Sequence, residues 1–464
     1  MTEDHDTPLV DTSPKDSEAE QNKSNKAMRR VFISGLLLGF VLGYLGFYLF
    51  DRFVSPLLVG EQMHKGNVAL TADDEESPSV KFLSACEGPS QAPALVGASE
   101  EGDALLFRTG AKAELSRYEL DIEGAATPSS VAFNGKLFVV SGQVVTGAGG
   151  DFSYFVTALD TEGEQLWTKT FRCPEATRWS AKVVAGFSGD MVEVAFTAFG
   201  RASSGESELP GGTKARVLRL RISPEGSFSA GSVEVIAGAN VIDCFATQGS
   251  KIVYGLRRSS QESGTLQAWV TSSDGGTLEK LEQPDVERFH SMTISNGSVY
   301  AVVELFDGAM LGEIEMPSSQ TKSFCIGQLE MASKRWLRAT SLTGPASAGA
   351  SPRLAVGEDG EVHVLAMCES DLRIGGRKLF SASYPSDLRL GMVSVAPSQN
   401  SFQLADYGWV PISRSASVTS LLSVQGILWT CITANGRAAF SNQILGPDSS
   451  GEYSGLQGFL TYTD

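Results

Sequence analysis

The sequence predicts an all-β chain: a six-bladed β-propeller of four-stranded antiparallel blades, seven blades being the alternative count, preceded by one N-terminal transmembrane helix. Three observations predict it. Twenty residues from Val31 to Phe50 carry no charge. A strand, a Gly-containing turn and a β-branched strand recur six times after residue 128. The repeats lack helical periodicity, and four-stranded units at this spacing are the pattern of propeller blades.

Residues 1–30 are polar and rich in charge, with too little apolar surface to offset ordering entropy, and read as a disordered cytoplasmic tail. Residues 31–52 are the membrane helix, because twenty apolar residues at about 1.5 Å each span the roughly 30 Å hydrocarbon core. A cleaved signal peptide would have a shorter apolar region and a small-residue cleavage site, whereas "DRFVSPLLVGEQ" follows here. Lys23, Lys26, Arg29 and Arg30 precede the span, against Arg52 and the more distant Lys65 after it, so the tail is expected in the cytoplasm and the rest in the periplasm. Gly35, Gly39 and Gly43 recur every four residues on one helix face, a spacing that lets a second helix approach closely. They are the helix-pairing candidates, for a homodimer.

Residues 53–90 read as a flexible acidic linker, from Asp73, Asp74, Glu75 and Glu76. The "LSAC" at Leu83–Cys86 has the local shape of a lipoprotein processing site, but acidic sequence precedes it instead of an apolar signal.

Residues 91–464 are the expected propeller domain. Its turn glycines, Gly135, Gly189, Gly249, Gly297, Gly360 and Gly426, stand about 48 to 66 residues apart, where a tight reversal needs positive φ. The second half of each unit is another hairpin, best preserved in "YFVTALDTEGEQLWTKTF" from Tyr154 to Phe171. The C-terminal "GFLTYTD" matches a third strand, and residues 106–122 resemble the best hairpin closely enough to supply the missing fourth. That closure gives six blades. Seven follow if residues 92–110 form a small blade of their own.

The pattern resembles the β-propeller repeats of bacterial surface and envelope proteins of the myxobacterial type. Asp359-Gly360, Gly375-Gly376, Leu159-Asp160, Gly163 and Leu166-Trp167 fit that repeat, with a looser copy from Leu329 to Trp336. The resemblance covers most of residues 92–464 and implies a non-catalytic propeller. The same hairpin also resembles the repeat of pyrroloquinoline-quinone dehydrogenases and of the propeller lipoprotein of outer-membrane protein assembly, where the Trp docks between blades. Trp167 and Trp336 are therefore the blade-packing candidates. A quinoprotein enzyme would need a longer ring, a Ca²⁺ site and an adjacent cysteine pair, and this chain has no vicinal Cys.

Other chemistries find little footing. A formal charge of −17 argues against nucleic acid as a partner. "SSDGGT" at Ser272–Thr277 is a turn, not a sialidase box, since its terminal Trp is missing. His5, His64, His290 and His363 are too dispersed for a metal cluster, and no hydrolase elbow, zinc-protease helix or P-loop motif occurs. The cysteines at 86, 173, 244, 325, 368 and 431 read as buried small hydrophobes, Cys368 and Cys431 being the pair placed most alike in successive repeats.

These readings predict no catalytic, cofactor or metal residues and no enzyme. The expectation is a single-pass inner-membrane protein whose periplasmic propeller is a protein-interaction or envelope-scaffold module for unknown envelope partners. The alternative is a propeller enzyme acting on glycans or another envelope substrate at the channel mouth, where paired carboxylates would be needed.

Overall fold

The structure is a computed structural model of the full chain. It describes residues 70–71 and 80–463, less 100, 110–114, 147–150, 176–181, 250, 259–266, 275–277, 284, 307–308, 317–322, 346–350, 381–387, 413–415, 435–437, 441–442 and 446–456. The membrane segment and its three glycines lie outside the described residues. Among those described, no helix is long and apolar enough to cross a membrane.

The first strand, β1 (Leu70–Thr71), is used last. Blade 1 is β2 (Val80–Glu87), β3 (Pro93–Ser99), β4 (Ala104–Thr109) and β5 (Leu115–Glu119). Blade 2 is β6 (Ala125–Phe133), β7 (Phe138–Thr146), β8 (Asp151–Leu159) and β9 (Gln165–Arg172); a hairpin of β12 (Ser203–Ser204) and β13 (Ser207–Glu208) extends its edge. That hairpin leaves blade 3, which is β10 (Val183–Ser188), β11 (Met191–Gly200), β14 (Gly212–Ile222) and β15 (Glu234–Ile236). Blade 4 is β16 (Val241–Gln248), β17 (Lys251–Arg258), β18 (Gln267–Asp274) and β19 (Leu278–Gln283).

Blade 5 is β20 (Val286–Ser295), β21 (Ser298–Leu305), β24 (Ser323–Glu330) and β25 (Arg335–Pro345), with a small hairpin, β22 (Met310–Leu311) and β23 (Ile314–Glu315), between its middle strands. Blade 6 is β26 (Arg353–Val356), β27 (Val362–Ile374), β29 (Leu388–Pro397) and β30 (Phe402–Ile412), β28 (Arg377–Phe380) folding back on β27. Blade 7 is β31 (Ala416–Val424), β32 (Ile427–Ala434) and β35 (Gln457–Thr463), a hairpin of β33 (Ala438–Phe440) and β34 (Gln443–Leu445) reaching back to β30. Its fourth strand is β1, paired antiparallel to β35 through Leu70↔Leu460 and Thr71↔Phe459.

All of these pairings are antiparallel, and each innermost strand packs on that of the next blade, with β31 packing on β2. The strands fall into seven four-stranded groups, the alternative count, and not six; blades 5 and 6 are joined into one sheet by pairing of β25 with β27 through Leu342↔Ile374. Residues 106–122 do not complete the last blade; they fall in β4, in β5 and beyond within blade 1. The linker boundary moves as well. Residues 80–87, assigned to the flexible segment 53–90, form an innermost strand, and Val59 to Asp464 is one compact unit.

Burial is greatest within the blades. In β10 and in β3 and β21, the second strands of blades 1 and 5, every residue is buried, because neighbouring blades cover both faces, whereas the innermost β2 is mostly half-buried and the outermost β9 is largely open. This explains the near-continuous apolar runs where one-sided alternation would mark a sheet with a solvated face. The cores lie between blades: Tyr154 and Phe171 of blade 2 meet Phe196 of blade 3, the two Phe rings stacked at 5.1 Å. Ile236 of blade 3 shares a core with Ile252 and Tyr254 of blade 4.

A second tie runs round the ring. The innermost strands carry β-bulges at Leu83, Ser129, Asp243, His290 and Thr419. The residue after the bulge is then in place to reach the neighbouring blade. Ser130 Oγ accepts from Ala185 N at 3.1 Å, Ser291 Oγ from Leu354 N at 3.2 Å, and Ser420 Oγ from Ala85 N at 2.9 Å. In blade 4 the bulge residue itself takes the role, Asp243 Oδ2 accepting from Phe289 N at 3.2 Å. These bonds answer backbone donors that neighbouring inner strands cannot satisfy by sheet pairing.

Candidate functional site

The two faces of the ring differ. Tight first-hairpin turns such as 189–190, 296–297 and 425–426 lie on one face. Connections entering each inner strand lie on the other, together with the described parts of the long middle connections: the hairpins β12–β13, β22–β23 and β33–β34, and strand β28. The inner strands therefore begin at this second face, and four cationic residues gather there.

Lys182 stands just before β10, Arg288 is near the start of β20, Arg353 opens β26, and Arg257 ends β17 opposite Val241. Their focus is Asp243, whose side chain is only 1% exposed. Arg257 Nε donates to Asp243 Oδ1 at 2.9 Å, and Arg288 Nε lies 3.8 Å from the same oxygen. The Lys182 ammonium donates to the Asp243 carbonyl. Arg353 binds no carboxylate in the described residues: its Nε donates to Val418 O at 3.2 Å and its Nη1 to His290 O at 3.3 Å.

Charge is thus out of balance. Burial pulls the Lys182 pKa down; the Asp243 charge works against this fall, while the charges of Arg353 and Arg288 add to it. Burial and Arg288 lower Arg353 as well. Cys244, next to Asp243, does not compensate, because burial pushes its thiol up to about 12 and leaves it neutral at pH 7.

The sequence-predicted packing residues sit elsewhere, on the outer strands. Trp167 of β9 donates from Nε1 to Pro224 O of blade 3 at 2.8 Å. Its ring covers Gly226, where φ is +84° and a Cβ would lie 2.7 Å from the indole. Tyr118 of blade 1 covers Gly163 of blade 2 in the same way, and Asp160 shapes that turn by accepting from Glu162 N at 2.9 Å and Glu164 N at 2.8 Å. Trp336 reaches back to blade 4, donating from Nε1 to Gln283 Oε1 at 2.8 Å. Trp167→Phe keeps the ring over Gly226 and loses the donor, so it is expected to cost about 1 kcal/mol, read as a lower urea midpoint at unchanged slope.

The remaining candidates do not converge on the mouth cluster as ligands. His290 Nε2 lies 3.1 Å from Glu304 Oε2 in a buried pair, and His363 Nδ1 lies 2.7 Å from Ser394 Oγ. No disulfide joins the described cysteines, Cys368 and Cys431 included. No group of three metal-ligating side chains occurs among the described residues.

No protein-family model matches the chain, and no curated protein matches it. Among solved structures it is similar to the uncomplexed acylaminoacyl peptidase of Pyrococcus horikoshii, at 9% identity and a TM-score of 0.40 over 78% of this chain. The match spans about half of that peptidase, 51% of its length. It is also similar to the β-propeller domain of the trilobed protease of Pyrococcus furiosus, at 9% identity and a TM-score of 0.40, covering 81% of this chain and 97% of that one. A third is the catalytic domain of a Coprinopsis cinerea GH62 α-L-arabinofuranosidase, at 11% identity and a TM-score of 0.30, covering 53% and 90%. The expectation that the chain is not an enzyme is withdrawn: a peptidase and a protease are among the solved structures matched, and a propeller fold by itself does not separate catalysts from binding modules.

Proposed function

We propose that this chain is a single-pass inner-membrane protein of the envelope repeat class it resembles, whose periplasmic propeller binds an envelope protein on the face that carries the long connections. The observation that carries this reading is the asymmetry of the ring. One face is closed by short turns, while the other gathers the long connections and an excess of positive charge at the start of the inner strands. Loops on a rigid scaffold are where recognition residues concentrate. The membrane part rests on the uncharged stretch Val31 to Phe50 and on the cations before it.

Photo-cross-linking in native membranes tests the reading. A cross-linker at position 288, on the mouth face, is expected to give a discrete protein adduct, whereas one at position 136, in the turn between β6 and β7, gives none. Equal adducts from both positions, or none from 288, would overturn the assignment of the face. A reporter enzyme fused to the C-terminus should be active only outside the cytoplasm; activity only inside would overturn the orientation.

A further inference from the structure

We infer that Lys182, Arg257, Arg288 and Arg353, set around Asp243 at the mouth of the ring, form a binding site for a small multivalent oxyanion, a phosphate or a polycarboxylate. The inference deepens the reading of this face as the receiving one, and gives its chemistry.

Four cationic side chains from four successive blades gather near one buried carboxylate: Arg257 and Arg288 approach it directly, Lys182 donates to the Asp243 backbone carbonyl, and Arg353 to other backbone carbonyls. Asp243 is already engaged twice, by Arg257 Nε and by Phe289 N. Its contact with Arg288, at 3.8 Å, is an ion pair too long for a hydrogen bond. The Arg288 side chain is 48% exposed, so its planar set of N–H donors is open to solvent at the mouth. Arg353 is held by two backbone carbonyls, which orient its guanidinium without neutralising it.

The half-buried members are thus held in place by backbone carbonyls and Asp243 before any ligand arrives, and the exposed Arg288 can close on it. Preorganised, partly desolvated cations of this kind bind oxyanions by charge-assisted hydrogen bonds, bidentate where the partner is a carboxylate or phosphate. A chain of net charge −17 that concentrates cations at one point also focuses its field there. A single monovalent ion would leave the cluster with charge in excess, which is why the ligand class is multivalent.

Calorimetric titration of the full-length chain at low ionic strength and pH 7, with inorganic phosphate, citrate and acetate as probes, tests the site. Saturable binding of phosphate or citrate, with acetate weaker, is expected, and the tighter of the two identifies the oxyanion class. Arg288→Gln should weaken it about tenfold or more, and Lys182→Gln should do the same independently. Lys136→Gln on the opposite face should leave it unchanged. Thermal melts accompany each variant, so a misfolded protein is recognised and the other mouth variant decides. Absence of saturable binding up to about 10 mM, weaker than any specific site of this kind would give, overturns the inference. So does equal weakening by the Lys136 and mouth variants. Cross-linking from position 288 reports a protein partner whether or not these anions bind, so the two proposals fail separately.

Discussion

Glu193→Ala is expected to destabilise the propeller by about 3–5 kcal/mol, the range for leaving one partner of a buried ion pair uncompensated. Glu193 lies on β11, and its side chain is wholly buried. Arg219 Nε and Nη2 donate to its two oxygens at 2.6 and 2.8 Å, Tyr254 Oη donates at 2.8 Å from blade 4, and Arg221 Nε donates at 3.3 Å. Truncation strands the Arg219 guanidinium, 3% exposed, with Glu234 as its remaining carboxylate, and that partner is 57% exposed and solvent-screened. It also removes the acceptor of Tyr254, whose hydroxyl burial and the Glu193 charge keep protonated well beyond the usual range. The loss is large against a typical domain stability of about 5–15 kcal/mol. Urea unfolding reads it as a lower midpoint. The control is Glu193→Leu with Arg219→Met, which removes both charges and should recover most of the loss; if the double variant is no more stable than the single, the cost lies in packing and not in the stranded charge.

This network shows where the sequence was readable and where it was not. The turn glycines were legible because their signal is local: Gly135, Gly189, Gly249, Gly297, Gly360 and Gly426 all have positive φ, between 59° and 92°. The first blade was read only as the alternative, through residues 92–110. Its inner hairpin reverses through Pro89, Ser90 and Gln91, the latter two at φ 56° and 55°, and its glycine, Gly88, is at φ −111°, so no positive-φ glycine marks the turn. The closing strand was missed because two residues, Leu70 and Thr71, carry too little pattern to stand out from an acidic spacer. Trp167 and Trp336 stand at the ends of hairpins, where the indole N–H donates to Pro224 O and to Gln283 Oε1.

The mouth cluster left no motif, because its members lie in four repeats. Asp243 falls at the inner-strand bulge held in other blades by Leu83, Ser129, His290 and Thr419, and is the one carboxylate among these five. Such a departure from the repeat is the available signal, since ring symmetry needs no charge there. Glu193 and Arg219 are legible in hindsight only as charges inside apolar strands, whose pairing depends on the register Glu193↔Arg221 and Ala195↔Arg219.

Phe82→Ala is expected to cost about 3–5 kcal/mol as well, through a different mechanism and with a local signature. Blade 1 is joined to blade 2 by the chain; among the described residues it meets blade 7 through packing, the Ser420 bond, a bond from the Gln425 amide to Gln91 Oε1 and the pairing of β1 with β35. Phe82 is fully buried at that seam. Its ring lies edge-on to Phe107 at 5.3 Å, in a core with Val80, Leu95 and Leu105 that also takes in Cys431 of blade 7. Removing the ring opens a cavity where closure depends on side-chain contact, so local opening at the seam should precede global unfolding. Hydrogen exchange should therefore rise first in β1, β2 and β35 and stay low in blades 3 to 5. Phe196→Ala, in the core between blades 2 and 3, removes an equally buried ring at an interface that the chain also spans. It should lower stability by a similar amount without selective exchange at the seam. If both variants raise exchange uniformly, the ring opens as one cooperative unit and the junction of first and last blades is not its weakest point.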